Sequence, residues 1–224
     1  MNKKKGVNTA SKPLSESVLR RLTNDALTTF LGEAASYEAT ARPGLQLALS
    51  NEAVADINML VVGAGAEHDH FRDMVNSCLD RELPFLAIIF PEADKAIDDI
   101  AADLGLAYAV DFPFMVRDDV PLEPSGNSDL EVVCASSAED ADASADVLVS
   151  AYSMPKDSVL RALPATLFDS TGVDVYVART NGEIVGSVTL TYHGDTCGIW
   201  AMATNASHQR AGIGLRLLST VMSQ

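Results

Sequence analysis

Six residues, Gln209-Arg210-Ala211-Gly212-Ile213-Gly214, constrain this chain more than any others. They lie between an apolar run at 198–203 and an amphipathic run at 213–222, an order that predicts a strand, a short loop and a helix. The first turn of such a helix leaves N–H groups without intrahelical partners, with the positive end of the helix dipole behind them. Phosphate is the usual guest at such a place. Gly212 and Gly214 let the backbone approach that guest and adopt φ angles that a Cβ would resist. Arg210 adds a guanidinium able to make paired hydrogen bonds to phosphate oxygens.

The 224 residues are enough for one large domain or two modest ones. A net charge of −15 argues against nucleic acid and against an anionic membrane as partners. The charge is uneven: between 118 and 157 acidic residues dominate and Lys156 is the only base. That stretch could draw in a cationic amine, but a run of charge is more often a solvated face, and the solvated face is the preferred reading. Cys78, Cys134 and Cys197 are odd in number and widely spaced, so they make neither a disulfide framework nor a Cys-x-x-Cys metal site. Lys3, Lys4 and Lys5 are not followed by the apolar run of a secretory signal, and the longest apolar runs, such as 83–90, are too short to cross a membrane. The expected compartment is a reducing cytoplasm.

Residues 1–15 are polar and read as a flexible tail, and 16–37 carry helical spacing at Leu19, Leu22, Ala26, Phe30 and Leu31. A buried strand is expected at 57–62, a helix at 71–83, a strand at 85–90, a helix at 92–104 ended by Gly105, and a third strand at 108–116. Gly63-Ala64-Gly65 follows the first of these strands, but His68 stands where a dinucleotide fingerprint needs its third glycine. His68 and His70 are two apart and would not face one ion from a helix, so no metal is expected. Pro121, Pro124, Ser125, Gly126 and Asn127 mark 120–128 as a linker. A strand then follows at 130–134, and a helix at 141–151 with Ser137 as its N-cap. A shorter helical stretch at 156–168 leads to strands at 173–178, 184–192 and 197–204. Asn181-Gly182 predicts a type I′ hairpin turn between the first two of those strands.

The motif Gln-x-x-Gly-x-Gly, with Met202-Ala203-Thr204 before it and Leu215-Arg216-Leu217-Leu218 after it, resembles the acyl-CoA signature of the GCN5-related N-acetyltransferases (GNAT). The resemblance implies an α/β fold with a mixed sheet, carried by a domain at 129–224. It also implies that the pattern is incomplete at Gln224, where the family continues with a strand, a helix and final strands. The other half of the chain or a second copy, as in a homodimer, could complete such a sheet. Residues 16–119, with Leu104-Gly105-Leu106 and Phe112-Pro113-Phe114-Met115, are similar to a smaller β-α-β-α-β GNAT-like domain without the CoA motif.

By the same resemblance, Met202, Ala203 and Thr204 would pair with the pantetheine of acetyl-CoA as a pseudo-strand. Gln209 would shape the loop, and Arg210, Ala211, Gly212, Ile213, Gly214 and Leu215 would take the pyrophosphate. A backbone N–H near Met202 or Ala203 would polarise the thioester carbonyl. The strand at 197–204 holds no carboxylate, so the base that deprotonates an amine is not identified. Tyr152, Tyr192, His193 and Asp195 are the candidates by position, beside a water relay. Two functions are implied. One is an acetyl-CoA-dependent N-acetyltransferase acting on a small-molecule or peptide amine. The other is a non-catalytic acyl-CoA-binding or interaction module with a decayed active site.

Overall fold

The computed structural model describes residues 38–111, 113–116, 122–169 and 171–223, together with Val18 and Arg21. The expected tail at 1–15 and all but those two residues of the expected helix at 16–37 lie outside the described residues. Alternation builds the first sheet. Leu45, Leu47 and Leu49 of β2 (Leu45–Leu49) point to one face and are buried, as are Leu60 and Val62 of β3 (Asn58–Val62). β1 (Glu38–Arg42) and β3 flank β2 antiparallel, and β4 (Leu86–Ile89) joins β3 in parallel. The parallel step needs a crossover, and α1 (His68–Asp80) supplies it. Phe71, Met74, Val75 and Cys78 of α1 pack with Ile97, Ile100 and Ala101 of α2 (Ala96–Asp103) on the leucine face of the sheet. Gly105, at φ +83°, ends α2.

The second sheet runs in chain order, antiparallel throughout: β5 (Glu131–Cys134), β6 (Val173–Thr180), β7 (Glu183–His193) and β8 (Thr196–Thr204). Between β5 and β6 lie α3 (Ala138–Tyr152) and α4 (Lys156–Ala162), and α5 (Ile213–Val221) follows β8. This is the β-α-α-β-β-β-α order expected from 129 onward. Asn181 and Gly182 sit at φ +51° and +83°, as a type I′ turn requires. The Ser137 hydroxyl accepts the Asp140 N–H at 3.1 Å and caps α3. Ala145, Val147 and Leu148 of α3 cover one face of the sheet with Val159, while Ile213, Leu217 and Val221 of α5 cover the other over Val185, Val188 and Leu190.

The first half departs from its expected β-α-β-α-β order. The hairpin of β1 and β2 precedes the strand expected first, and the segment expected as a third strand at 108–116 makes no ladder among its described residues. β1 reads Glu-Ala-Thr-Ala-Arg and is exposed along its length, so it carries no burial pattern to read. The segment at 108–116 is apolar enough to imitate a strand, yet Tyr108, Val110 and Met115 are exposed, and Phe114 stacks on Phe90 with ring centres 5.9 Å apart. The helical stretch at 156–168 divides into α4 and a 3-10 turn at Ala165–Asp169.

Trp200 of β8 packs with Met59, Ala48, Val61, Phe90 and Phe114, which joins the two halves of the chain. The first sheet thus flanks β8 and does not extend it. Among the described residues β8 pairs with β7 only. A second junction is polar. Glu52 accepts hydrogen bonds from Ser158 Oγ at 2.8 Å and from Arg161 Nη2 at 2.6 Å. The loop that presents Glu52 is fixed by the buried Asn58, whose amide nitrogen donates to the Glu52, Val54 and Pro84 carbonyls at 2.7, 3.0 and 2.9 Å.

The Arg161 hydrogen bond, helped by Ser158, holds the Glu52 carboxyl below the usual range. A depressed carboxylate adds stability above its unfolded pKa of about 4.3 and loses it as pH falls through the folded value. Urea unfolding should therefore give a gap between the parent and Glu52→Gln that is constant from about pH 6 to 8 and shrinks below about pH 4. A gap unchanged down to about pH 2 would show that the carboxylate is not what joins the halves.

Candidate functional site

Ser187 of β7 faces Ala203, whereas Thr189 faces Trp200. β8 therefore spends one more residue than β7 over this span, which is a β-bulge. It falls at Ala201–Met202, and Ala201 takes φ +46° to make it. The ladder resumes beyond it, where the Asn205 N–H donates to the Val185 carbonyl at 2.9 Å. Alternation then turns the main-chain groups of Ala203 toward β7 and those of Met202 and Thr204 toward the unpaired edge.

The loop after β8 turns back through two left-handed residues, Arg210 at φ +62° and Gly212 at φ +75°. Gly212 is the N-cap of α5 and no side chain caps the helix, so the N–H groups of Ile213, Gly214 and Leu215 have no intrahelical acceptor. The sequence suggested unusual φ at both glycines. Only Gly212 has it, because the left-handed turn is spent before the helix begins, whereas Gly214 is already helical. What Gly214 supplies is space: an added Cβ would meet only Thr204 Oγ1, at 3.8 Å.

A cleft of about 460 Å³ lies between strand end and helix start. Met202, Ala203 and Thr204 form one side, and Gln209, Arg210, Gly212, Ile213 and Gly214 the other. Ala151 and Tyr152, the last two residues of α3, close a wall. Ala211 and Leu215 do not line it. Uncapped N–H groups, an exposed arginine and a glycine facing open space suit a phosphate-bearing ligand of extended shape.

The four candidates for proton transfer separate. Tyr152 is at the cleft, 52% exposed, and its O–H donates to the Met202 carbonyl at 2.7 Å. Partial burial raises its phenol. Tyr192, His193 and Asp195 sit at the opposite end of β8, where Tyr192 pairs with Cys197. Ala203 is six residue steps along the strand from Cys197, about 20 Å. Tyr192 donates to Asp174 Oδ2 at 2.8 Å, and burial together with that hydrogen bond pushes its phenol far up. Asp195 pairs with Arg21 at 2.9 Å, which holds its carboxyl below the usual range. Those three residues are not brought to the cleft, and among the described residues no carboxylate or histidine lines it.

The other polar features are locally paired. Lys156 lies between Asp142 at 2.9 Å and Asp146 at 2.7 Å, within the acidic stretch. His68 and His70 face different carboxylates, Asp94 at 3.4 Å and Glu67 at 3.2 Å. Among the described residues no group of three or more His, Cys, Asp or Glu is placed to hold a metal ion, and no helix is long and apolar enough to cross a membrane.

In sequence Gly126 falls in the expected linker at 120–128. At φ +88° it lies against the start of α5, where an added Cβ would come within 2.7 Å of the Gly212 carbonyl and 2.8 Å of the Arg216 nitrogen. Beside it the Ser125 N–H donates to Ser219 Oγ at 2.8 Å. This segment braces the helix whose N-terminus faces the cleft. Gly126→Ala should therefore cost more than about 1 kcal/mol in urea unfolding. Unchanged stability would contradict so close an approach.

Residues 144–224 match the Acetyltransferase (GNAT) family. Among solved structures, the chain is similar to a GCN5-related N-acetyltransferase from Kribbella flavida, with a TM-score of 0.66 and 16% identity over 91% of this chain and 79% of that one. It is also similar to a conserved protein of unknown function from Staphylococcus epidermidis, with a TM-score of 0.52 and 12% identity over 84% of this chain and 79% of that one. No curated protein sequence matches the chain.

Proposed function

We propose that this chain, whose residues 144–224 match the GNAT family, binds acetyl-CoA in the cleft between β8 and α5 and transfers the acetyl group to an amine. The observation that carries this reading is the junction of two features in one cleft: a bulged strand edge and an uncapped, glycine-lined helix N-terminus. The pyrophosphate would lie on the N–H groups of Ile213 and Gly214, with Arg210 beside it. The pantetheine amides would pair with main-chain groups on the edge of Met202 and Thr204 that the Tyr152 bond to the Met202 carbonyl leaves open. A main-chain N–H at the bulge would donate a hydrogen bond to the thioester oxygen and stabilise the negative charge that develops there. The amine nitrogen bonds to the carbonyl carbon, the C–S bond breaks, and the proton lost by the amine ends, directly or through water, on the leaving thiolate.

Among the described residues the cleft wall holds no carboxylate or histidine. That favours water as the first proton acceptor. It also keeps open a second reading, a module that binds acyl-CoA without turning it over.

Thermal unfolding with and without acetyl-CoA tests binding, since a ligand at about 100 times its Kd adds about 2.7 kcal/mol to the folded state. The melting temperature of the parent should rise, and that of Gly214→Val, whose side chain enters the pyrophosphate space, should not. Equal shifts in the two proteins would remove the site from this cleft. Release of free thiol with a panel of primary amines separates the two readings. Turnover supports the transferase, and binding without turnover supports the module.

A further inference from the structure

Tyr152 does more than line a wall. A bulged residue has no ladder partner to fix its peptide orientation, and this is the case at Ala201–Met202. The only side-chain hydrogen bond to that bulge among the described residues is the one from the Tyr152 O–H to the Met202 carbonyl, at 2.7 Å. We propose that Tyr152 is a positioning residue, whose O–H sets the orientation of the Met202 main chain and so presents the bulge to a thioester. The proposal rests on the acyl-CoA reading of the cleft.

Three further observations support it. The same helical turn grips the strand end a second time, because Ser150 Oγ accepts the Ala206 N–H at 2.9 Å. The last turn of α3 thus holds both sides of the stretch that runs from the bulge to the loop. Helix α3 also ends at a defined place: Ser153 is left-handed at φ +58° and Pro155 follows, so Tyr152 is fixed as its last residue. Finally, an extended residue directs its N–H and C=O to the same edge. With the Met202 carbonyl held by the phenol, we place the Met202 N–H on the same edge, as the donor offered to the thioester. The phenol does not exchange a proton with substrate in this scheme. It acts through the backbone.

Tyr152→Phe keeps the ring and removes only the O–H. In that variant CoA should bind within about threefold of the parent, because the pyrophosphate end is untouched. The kcat for acetyl transfer should fall about tenfold or more, with KM for acetyl-CoA nearly unchanged; full removal of an oxyanion donor costs about 10²–10³. Amide hydrogen exchange at Met202 and Ala203 should quicken in the ligand-free protein. An unchanged kcat, or a loss of CoA binding and melting temperature together, would overturn the positioning role. A parent that turns over no amine would refute the transferase reading alone. The proposal would then stand or fall on exchange at Met202 and Ala203: faster in Tyr152→Phe supports it, unchanged overturns it.

Discussion

An antiparallel ladder can absorb one extra residue only by leaving a peptide unit unmatched, and β8 absorbs its extra residue at Ala201–Met202. The remainder of the cleft follows from where that happens. The bulge lies just before the strand ends, so the chain leaves it, makes one more ladder bond at Asn205, and turns into the loop that starts α5. Unmatched strand groups and unmatched helix groups therefore face one volume, with the last turn of α3 behind them.

Unmatched backbone is costly when buried, and the structure brings other segments to hold the ends in place. Gly126 presses on Gly212 and Arg216 from outside, at distances that exclude any side chain there. Ile213 and Leu217 anchor α5 on the sheet from inside, with Gly186 leaving room for both of their side chains. The first half of the chain contributes at a distance. Trp200, one residue before the bulge begins, is seated in that half's sheet, and Glu52 ties it to α4.

Local features were legible in the sequence. The turn at Asn181-Gly182, the Ser137 cap and the Gln209–Gly214 loop depend on neighbouring residues, and each appears where the pattern put it. Features that depend on register or on distant partners were not legible. The bulge exists only as a mismatch between two strands. The bond from Tyr152 to Met202 spans 50 positions, and that from Ser125 to Ser219 spans 94. Tyr192, His193 and Asp195 looked close to the site because they are close to β8 in the chain, but an extended strand carries them away at about 3.3 Å per residue. The exposed β1 and the apolar stretch at 108–116 failed for opposite reasons. The first has no burial pattern to betray a strand, and the second has composition without a ladder.

The proposed site puts the ligand's phosphates on the helix N-terminus after β8 and not on the similar strand-loop-helix step after β3. Amide chemical-shift mapping during a titration with CoA tests it most directly. Saturable shifts are expected at Met202, Thr204 and Arg210 to Leu215, with Gly63 to His70 unmoved. Shifts centred on Gly63 to His70, or none along 202–215 at saturating CoA, would contradict it.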